Sequence, residues 1–193
     1  PKVNNDSTLL GKNTPTATGV GGTCIGTSAG AKLASTNKHN TIIGYEAGSG
    51  SNSDQLSSGI SSNQGSQNTF VGSQCGRSNN IGQNNVFLGY QSGVKNSTGN
   101  DNIYIGCKAG YNNKDRNKNI FIGNNTVQAS GSNNIFIGHN INETRSYRLN
   151  IGNVITGCIQ SGNESLEFNS YAGKFDFNGD VKFDDNITVR KDI

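Results

Sequence analysis

The chain of 193 residues contains no Met and no Trp, only two Pro and two His, and four Cys. Without Met it has no initiator, so a processed product or an excised fragment is the expected origin. No apolar run approaches the ~18–20 residues of a membrane span, so membrane insertion is not expected. Charge of one sign is also scarce: 16 Lys and Arg stand against 13 Asp and Glu, a formal net charge of +3. No run of basic residues is long enough to form a stripe for nucleic acid or a membrane surface, so neither is expected as a partner. Hydrophobic residues make up 31% of the chain and mean hydropathy is −0.59, which leaves too little for an ordinary core.

The cysteines, Cys24, Cys75, Cys107 and Cys158, show no CxxC spacing and no histidine at a set distance. Zinc is therefore not expected, and the four are read as buried free thiols filling small apolar positions. Nothing requires a disulfide, and their redox state stays open at this level.

What the chain has instead is period. A Gly closes an apolar triplet at Gly11, Gly26, Gly44, Gly72, Gly89, Gly106, Gly123, Gly138 and Gly152, with gaps of 15, 18, 28, 17, 17, 17, 15 and 14. A disordered chain would not hold its few apolar residues in such phase. Periods this short indicate a solenoid whose turns bury their apolar face only by stacking on one another. The stretch Ser49–Gln67 spans the gap of 28 and reads either as a recognition loop or as a decayed repeat.

Within each triplet the side chains alternate across a strand. One position before the Gly stand Leu10, Ile25, Ile43, Val71, Leu88, Ile105, Ile122, Ile137 and Ile151. Three before it stand Thr8, Thr23, Thr41, Thr69, Val86, Ile103, Ile120, Ile135 and Leu149. These two columns share a face, are dominated by β-branched residues, and are expected to fill the coil. The column between them, Leu9, Cys24, Ile42, Phe70, Phe87, Tyr104, Phe121, Phe136 and finally Asn150, is then expected on the outside. A strand apolar on both faces is buried on both. Phe70, Phe87, Tyr104, Phe121 and Phe136 are accordingly the candidate trimer-interface residues, covered by identical subunits.

Asn recurs four positions before the Gly, at Asn40, Asn68, Asn85, Asn102, Asn119 and Asn134, and is expected to form a hydrogen-bonded ladder. After the Gly comes a second one, as in Gly44–Gly48 and Gly89–Gly93, which suits a tight bend at positive φ.

With NTIIGYEAG at 40–48 and NNVFLGYQSG at 84–93 in view, residues 7–153 resemble the head repeats of trimeric autotransporter adhesins, whose motif is close to NSVAIG. They resemble still more the repeats of fibres and spikes in bacteriophages and large DNA viruses, since aromatics stand where the adhesins carry Ala. The resemblance implies an all-β, left-handed parallel β-roll (a β-solenoid), homotrimeric, with about one repeat per turn. It implies attachment or structural display at a virion surface, or at a bacterial cell surface in the alternative. The partners implied are two further copies, other virion or fibre components, and a host-cell receptor or glycan. Neither the receptor nor the source follows from the sequence.

From Gly162 the composition changes, and Phe175, Phe177, Val181 and Phe183 alternate about Asn178-Gly179, a hairpin signal. The expected organisation is a β-roll over 1–160 and a β-rich stem over 161–193. FDFNGDVKF resembles the stem segments of viral fibres, which an intramolecular chaperone often follows; whether one was removed here stays open.

Chemistry finds few residues. A hexapeptide-type acyltransferase needs an apolar residue every six positions and a His base. His39 lies in a polar turn, and His139 takes a slot held by Tyr45 and Tyr90 elsewhere. A polysaccharide-cleaving spike needs paired carboxylates ~5–10 Å apart. Glu46, Asp54, Asp101, Asp115 and Glu143 occupy different positions in the turn, so nothing in the repeat pairs them. Asp176, Asp180, Asp184 and Asp185 lack the spacing of a calcium loop and read as a solvated edge. An ice-binding array fails because Val86, Ile103 and Ile120 continue the Thr column. No enzyme, metal or cofactor is expected; a passive spacer is the main alternative to attachment, and a solenoid enzyme acting on polysaccharide the weaker one.

Overall fold

The structure is a computed structural model and describes residues 2–4, 7–15, 21–33, 36–50, 65–126, 131–160 and 165–168. Its strands form one sheet in chain order. They are β1 (Lys2–Asn4), β2 (Ser7–Leu10), β3 (Thr23–Ile25), β4 (Thr41–Ile43), β5 (Thr69–Val71) and β6 (Val86–Leu88). β7 (Ile103–Ile105), β8 (Ile120–Ile122), β9 (Ile135–Ile137), β10 (Arg148–Ile151), β11 (Ile155–Cys158) and β12 (Ser165–Phe168) complete it. From β2 to β10 every neighbour is parallel and in register, Phe87 opposite Phe70 and Tyr104 opposite Phe87. β1 caps this stack antiparallel to β2, and β10, β11 and β12 close it as an antiparallel meander. The described residues contain no helix. The chain is an all-β parallel solenoid, as the repeat predicts.

The faces, however, are reversed. The middle residue of each triplet is the buried one: Phe87, Tyr104, Phe121 and Phe136 are 0% exposed and Phe70 is 1%. Leu10 (52%), Leu88 (45%) and Val86 (39%) point outward instead. The coil is narrow, with room for one large side chain at the centre of each strand: Leu9 in β2, Ile42 in β4 and a ring from β5 to β9. In-register stacking then lays ring on ring. Centroids from Phe70 through Phe136 are spaced 4.7–5.0 Å with interplanar angles of 4–15°, matching the ~4.8 Å between strands. Each such pair is worth about 0.5–1.5 kcal/mol beyond its area.

Two kinds of glycine make the narrow coil feasible. Gly93 (φ +57) lies against Phe87, where a Cβ would come within 2.5 Å of the ring. Gly89 (φ +130) lies against the next turn, where a Cβ would meet the Gly106 carbonyl oxygen at 2.5 Å. The small residue between them, such as Ala47, Cys75, Ser92 or Ala109, is fully buried beside the aromatic column.

The rest of the interior is amide. Asn85 Nδ2 donates to Asn68 Oδ1 (3.1 Å) and to the Gly99 carbonyl (2.8 Å), and its backbone N–H donates to the same Asn68 Oδ1 (3.0 Å). The link to the preceding Asn repeats at Asn102, Asn119 and Asn134, so the expected ladder is present. A second, unexpected amide column holds Asn79, Asn96 and Asn113, all buried. Asn96 Nδ2 donates to Asn79 Oδ1 at 2.7 Å, and Asn113 Nδ2 donates to the Tyr104 hydroxyl. Buried amides left unpaired would cost several kcal/mol in sum. Stacking supplies partners for the Asn68–Asn134 ladder and for the amide nitrogens of Asn96 and Asn113, while the Oδ1 atoms of Asn96 and Asn113 are buried without one. That explains how a chain with 31% hydrophobic residues acquires an interior.

Candidate functional site

The feature most open to a partner is the outward face of the parallel sheet. Each strand from β3 to β9 turns its first and third apolar or Thr side chains outward around the buried centre. In β6 to β9 both outward columns are entirely aliphatic: Val86 and Leu88, Ile103 and Ile105, Ile120 and Ile122, Ile135 and Ile137. Ile122 is 36% and Ile137 38% exposed. From β2 to β10 the face is roughly 40 Å tall and 10 Å wide at ~4.8 Å per strand. The wholly aliphatic part, β6–β9, covers roughly 200 Å² at that spacing, and Leu10, Ile25, Ile43 and Val71 continue one of its columns beside the Thr of β2–β5. A patch of a few hundred Å² on a soluble chain is of the size that marks an interaction site.

The five aromatic candidates for a trimer interface are not on this face. Phe70, Phe87, Tyr104, Phe121 and Phe136 are enclosed by their own chain, and burial pushes the Tyr104 hydroxyl pKa upward. A partner cannot reach them while the coil is closed. The reasoning that a strand apolar on both faces needs a second cover still holds, but the uncovered residues are the Val, Ile and Leu columns. The side-chain alternation was legible in the sequence; which set faced inward was not.

Beside this face runs the column that follows the closing Gly. Tyr45 (53% exposed) and Tyr90 (49%) stand on it, with Cys107 and His139 also exposed. A hydrogen bond with Glu46 and its negative charge raise the Tyr45 pKa. One residue further, Gln91 Nε2 donates to Gln74 Oε1 (2.8 Å) and Gln74 Nε2 to Glu46 Oε2 (3.2 Å), a surface ladder parallel to the buried one. Cys24 and Cys75 are the buried free thiols expected, their pKa pushed up to about 12 by burial. Cys107 is exposed and Cys158 half-buried, neither in a disulfide, which corrects the expectation of burial for both.

The described acidic residues of the repeat are each engaged separately. Glu46 pairs with Arg77 (3.4 Å), Asp101 accepts from Asn84 (3.1 Å), and Asp115 lies 3.4 Å from Arg116 Nε. Glu143 accepts from Arg145 (3.0 Å), which together with backbone N–H groups holds its carboxyl below the usual range, with Arg148 at 3.8 Å. His39 and His139 are exposed in different turns. Among the described residues no group of three or more His, Cys, Asp or Glu is gathered so as to hold a metal ion. Most of Ser49–Gln67, Asp54, the Asp176–Asp185 cluster and the hairpin at Asn178-Gly179 lie outside the described residues.

No protein-family model, curated protein or solved structure matches the chain.

Proposed function

We propose that the chain is a segment of a rigid homotrimeric fibre or spike that presents a host-attachment surface, on a virion or alternatively on a bacterial cell. The observation that carries this reading is the uncovered aliphatic face of β6–β9 on an otherwise closed rod. Its outward Val, Leu and Ile columns are flat, continuous and in register, a surface suited to another copy of itself. Burying a fully exposed Leu or Ile side chain is worth about 1.5–3 kcal/mol. The eight Val, Leu and Ile side chains here are already more than half covered by their own chain, so each adds a fraction of that on association. The count of three and the left-handed coil come from the resemblance to viral fibre and adhesin repeats, as does reading the hairpin signalled at Asn178-Gly179 as a fibre stem.

In this reading the backbone ladders and the two amide columns make the rod stiff, and the turns, which tolerate substitution, carry recognition. A fluorescently labelled sample passed over a panel of bacterial and eukaryotic cells tests the attachment role. Saturable retention on at least one surface is expected. A sample with intact assembly that is retained on none leaves a spacer as its role.

A further inference from the structure

Away from the sheet face, charge interrupts the repeat. Lys95 stands seven residues beyond Leu88 and eight before Ile103, so it lies across the coil from the strands. Equivalent positions in successive turns read Ser78, Lys95, Asn112; then Asn80, Ser97, Lys114; then Gly82, Gly99, Arg116. Three cations thus enter within two turns at positions that the neighbouring turns fill with Ser, Asn or Gly; Lys32 is the corresponding residue of Lys95 in the turn after Gly26. With Asn112 and Asp115 they line a depression of about 400 Å³.

Arg116 is the sharpest departure. At Gly82 and Gly99 a Cβ would lie 2.4 Å from the carbonyl oxygen of the next turn, so glycine is required there by close approach. Arg116 breaks that column and carries a side chain into the depression, with its Nε buried and without a hydrogen-bond acceptor. Asp115 Oδ1, 3.4 Å away, offers it an ion pair but no directed hydrogen bond. Lys95 Nζ donates to Asn112 Oδ1 (3.0 Å) and stands 5.0 Å from the centre of the Tyr111 ring, and neither neighbour carries negative charge. Lys114 is exposed, while its carbonyl accepts from the Ser97 and Thr98 N–H groups and ties its backbone to the neighbouring turn. Three cations therefore face one carboxylate in a backbone held by the ladder.

We infer that this depression binds an acidic saccharide, its carboxylate or sulfate against Arg116 and Lys114 and its hydroxyls on Asn112 and Asp115. The inference rests on the attachment reading and gives it a ligand class. The Arg116 guanidinium, 41% exposed as a side chain although its Nε is buried, and two exposed ammonium groups suit a single anionic substituent. The Asn amide and the Asp carboxylate add the mixed donors and acceptors that a polyol needs. The volume falls in the lower part of the ~300–1,000 Å³ range of small-molecule sites. Nucleic acid would need a basic track along many turns, whereas the turn before Lys95 offers Ser78, Asn80 and Gly82.

The test is a printed array of carboxylated, sulfated and neutral glycans with duplex DNA as a control, probed with wild type, the Lys95→Gln/Lys114→Gln double variant and Asp115→Asn. Both lysines are exposed, so the double variant keeps its melting temperature. The wild type is retained on carboxylated or on sulfated glycans, the two arms identifying the anion, and retention falls with added salt. The double variant binds at least tenfold more weakly, and Asp115→Asn, which keeps an acceptor oxygen for the hydroxyls but removes the charge competing for Arg116, binds more tightly. Unchanged acidic-glycan binding in the double variant overturns this site while leaving attachment intact, as does retention on cells with neutral glycans alone. Equal retention on DNA reduces the depression to unspecific charge and also overturns it. Retention on neither cells nor array defeats the attachment reading, and this inference with it.

Discussion

Replacing Phe87 by Ala empties one rung of the aromatic stack. The ring is 0% exposed, lies 5.0 Å from Phe70 and 4.7 Å from Tyr104, and is held in place by Gly93. The backbone around it is pinned by in-register pairing on both sides, so the site collapses little and the full cavity cost applies. Phe→Ala in such a site costs about 3–5 kcal/mol. For a chain of this length, ~2–4 °C per kcal/mol corresponds to a melting temperature lowered by roughly 6–20 °C. Leu88, next in sequence, is 45% exposed, and within a single chain Leu88→Ala changes stability by no more than about 0.5–1 kcal/mol. The assay is urea and thermal unfolding of both variants by circular dichroism, at one protein concentration and with the mass of each recorded. Phe87→Ala unfolds far earlier; Leu88→Ala retains the fold and weakens only association. If Leu88→Ala is the more damaging to the fold and Phe87→Ala is nearly silent, the coil is inside out and the account of its interior is refuted.

Two further outcomes follow from the buried polar groups. Asn102→Leu removes donors to Asn85 Oδ1 and the Arg116 carbonyl and the acceptor of two Asn119 N–H groups, and is expected to cost about 2–4 kcal/mol in urea unfolding; a loss below 1 kcal/mol contradicts the ladder as a source of stability. Cys24 and Cys75 stay protonated up to pH about 12 in the folded chain but ionise near 9 once unfolded, so the unfolded state binds fewer protons and stability falls as pH rises from about 9 towards 12. Tyr104 adds to the same alkaline loss above its ordinary value near 10. Replacing both cysteines by Ala flattens the alkaline limb between pH 9 and 10, and an unchanged limb there removes the thiols as its cause.

The period, the strands, the Asn40–Asn134 ladder and the paired glycines were legible because each depends on one residue type recurring at one spacing. The direction of the strands was not. Two β-branched columns against one aromatic column suggests a two-column interior by count, but the coil selects by volume, and a single Phe such as Phe121 fills a turn that Ile120 and Ile122 together would overfill. The Asn79, Asn96 and Asn113 column stayed hidden because it sits in polar filler where Asn is common. Bends at Gln67, Asn84, Asp101, Lys118 and Asn133 all take positive φ of 56–60°; their side chains differ in type, so no consensus betrayed them. Lys95, Lys114 and Arg116 form no run in the sequence and meet only because the turns stack.

The central claim is that the Val, Leu and Ile face of β6–β9 is covered by two further copies of the chain. The mass in solution tests it most directly, by light scattering across a gel-filtration peak at micromolar concentration. The account predicts about three times the 20.3 kDa of one chain, dropping to one chain in Leu88→Asp/Ile122→Asp with the β circular-dichroism spectrum retained. A wild-type mass of 20.3 kDa, stable on concentration, would contradict it.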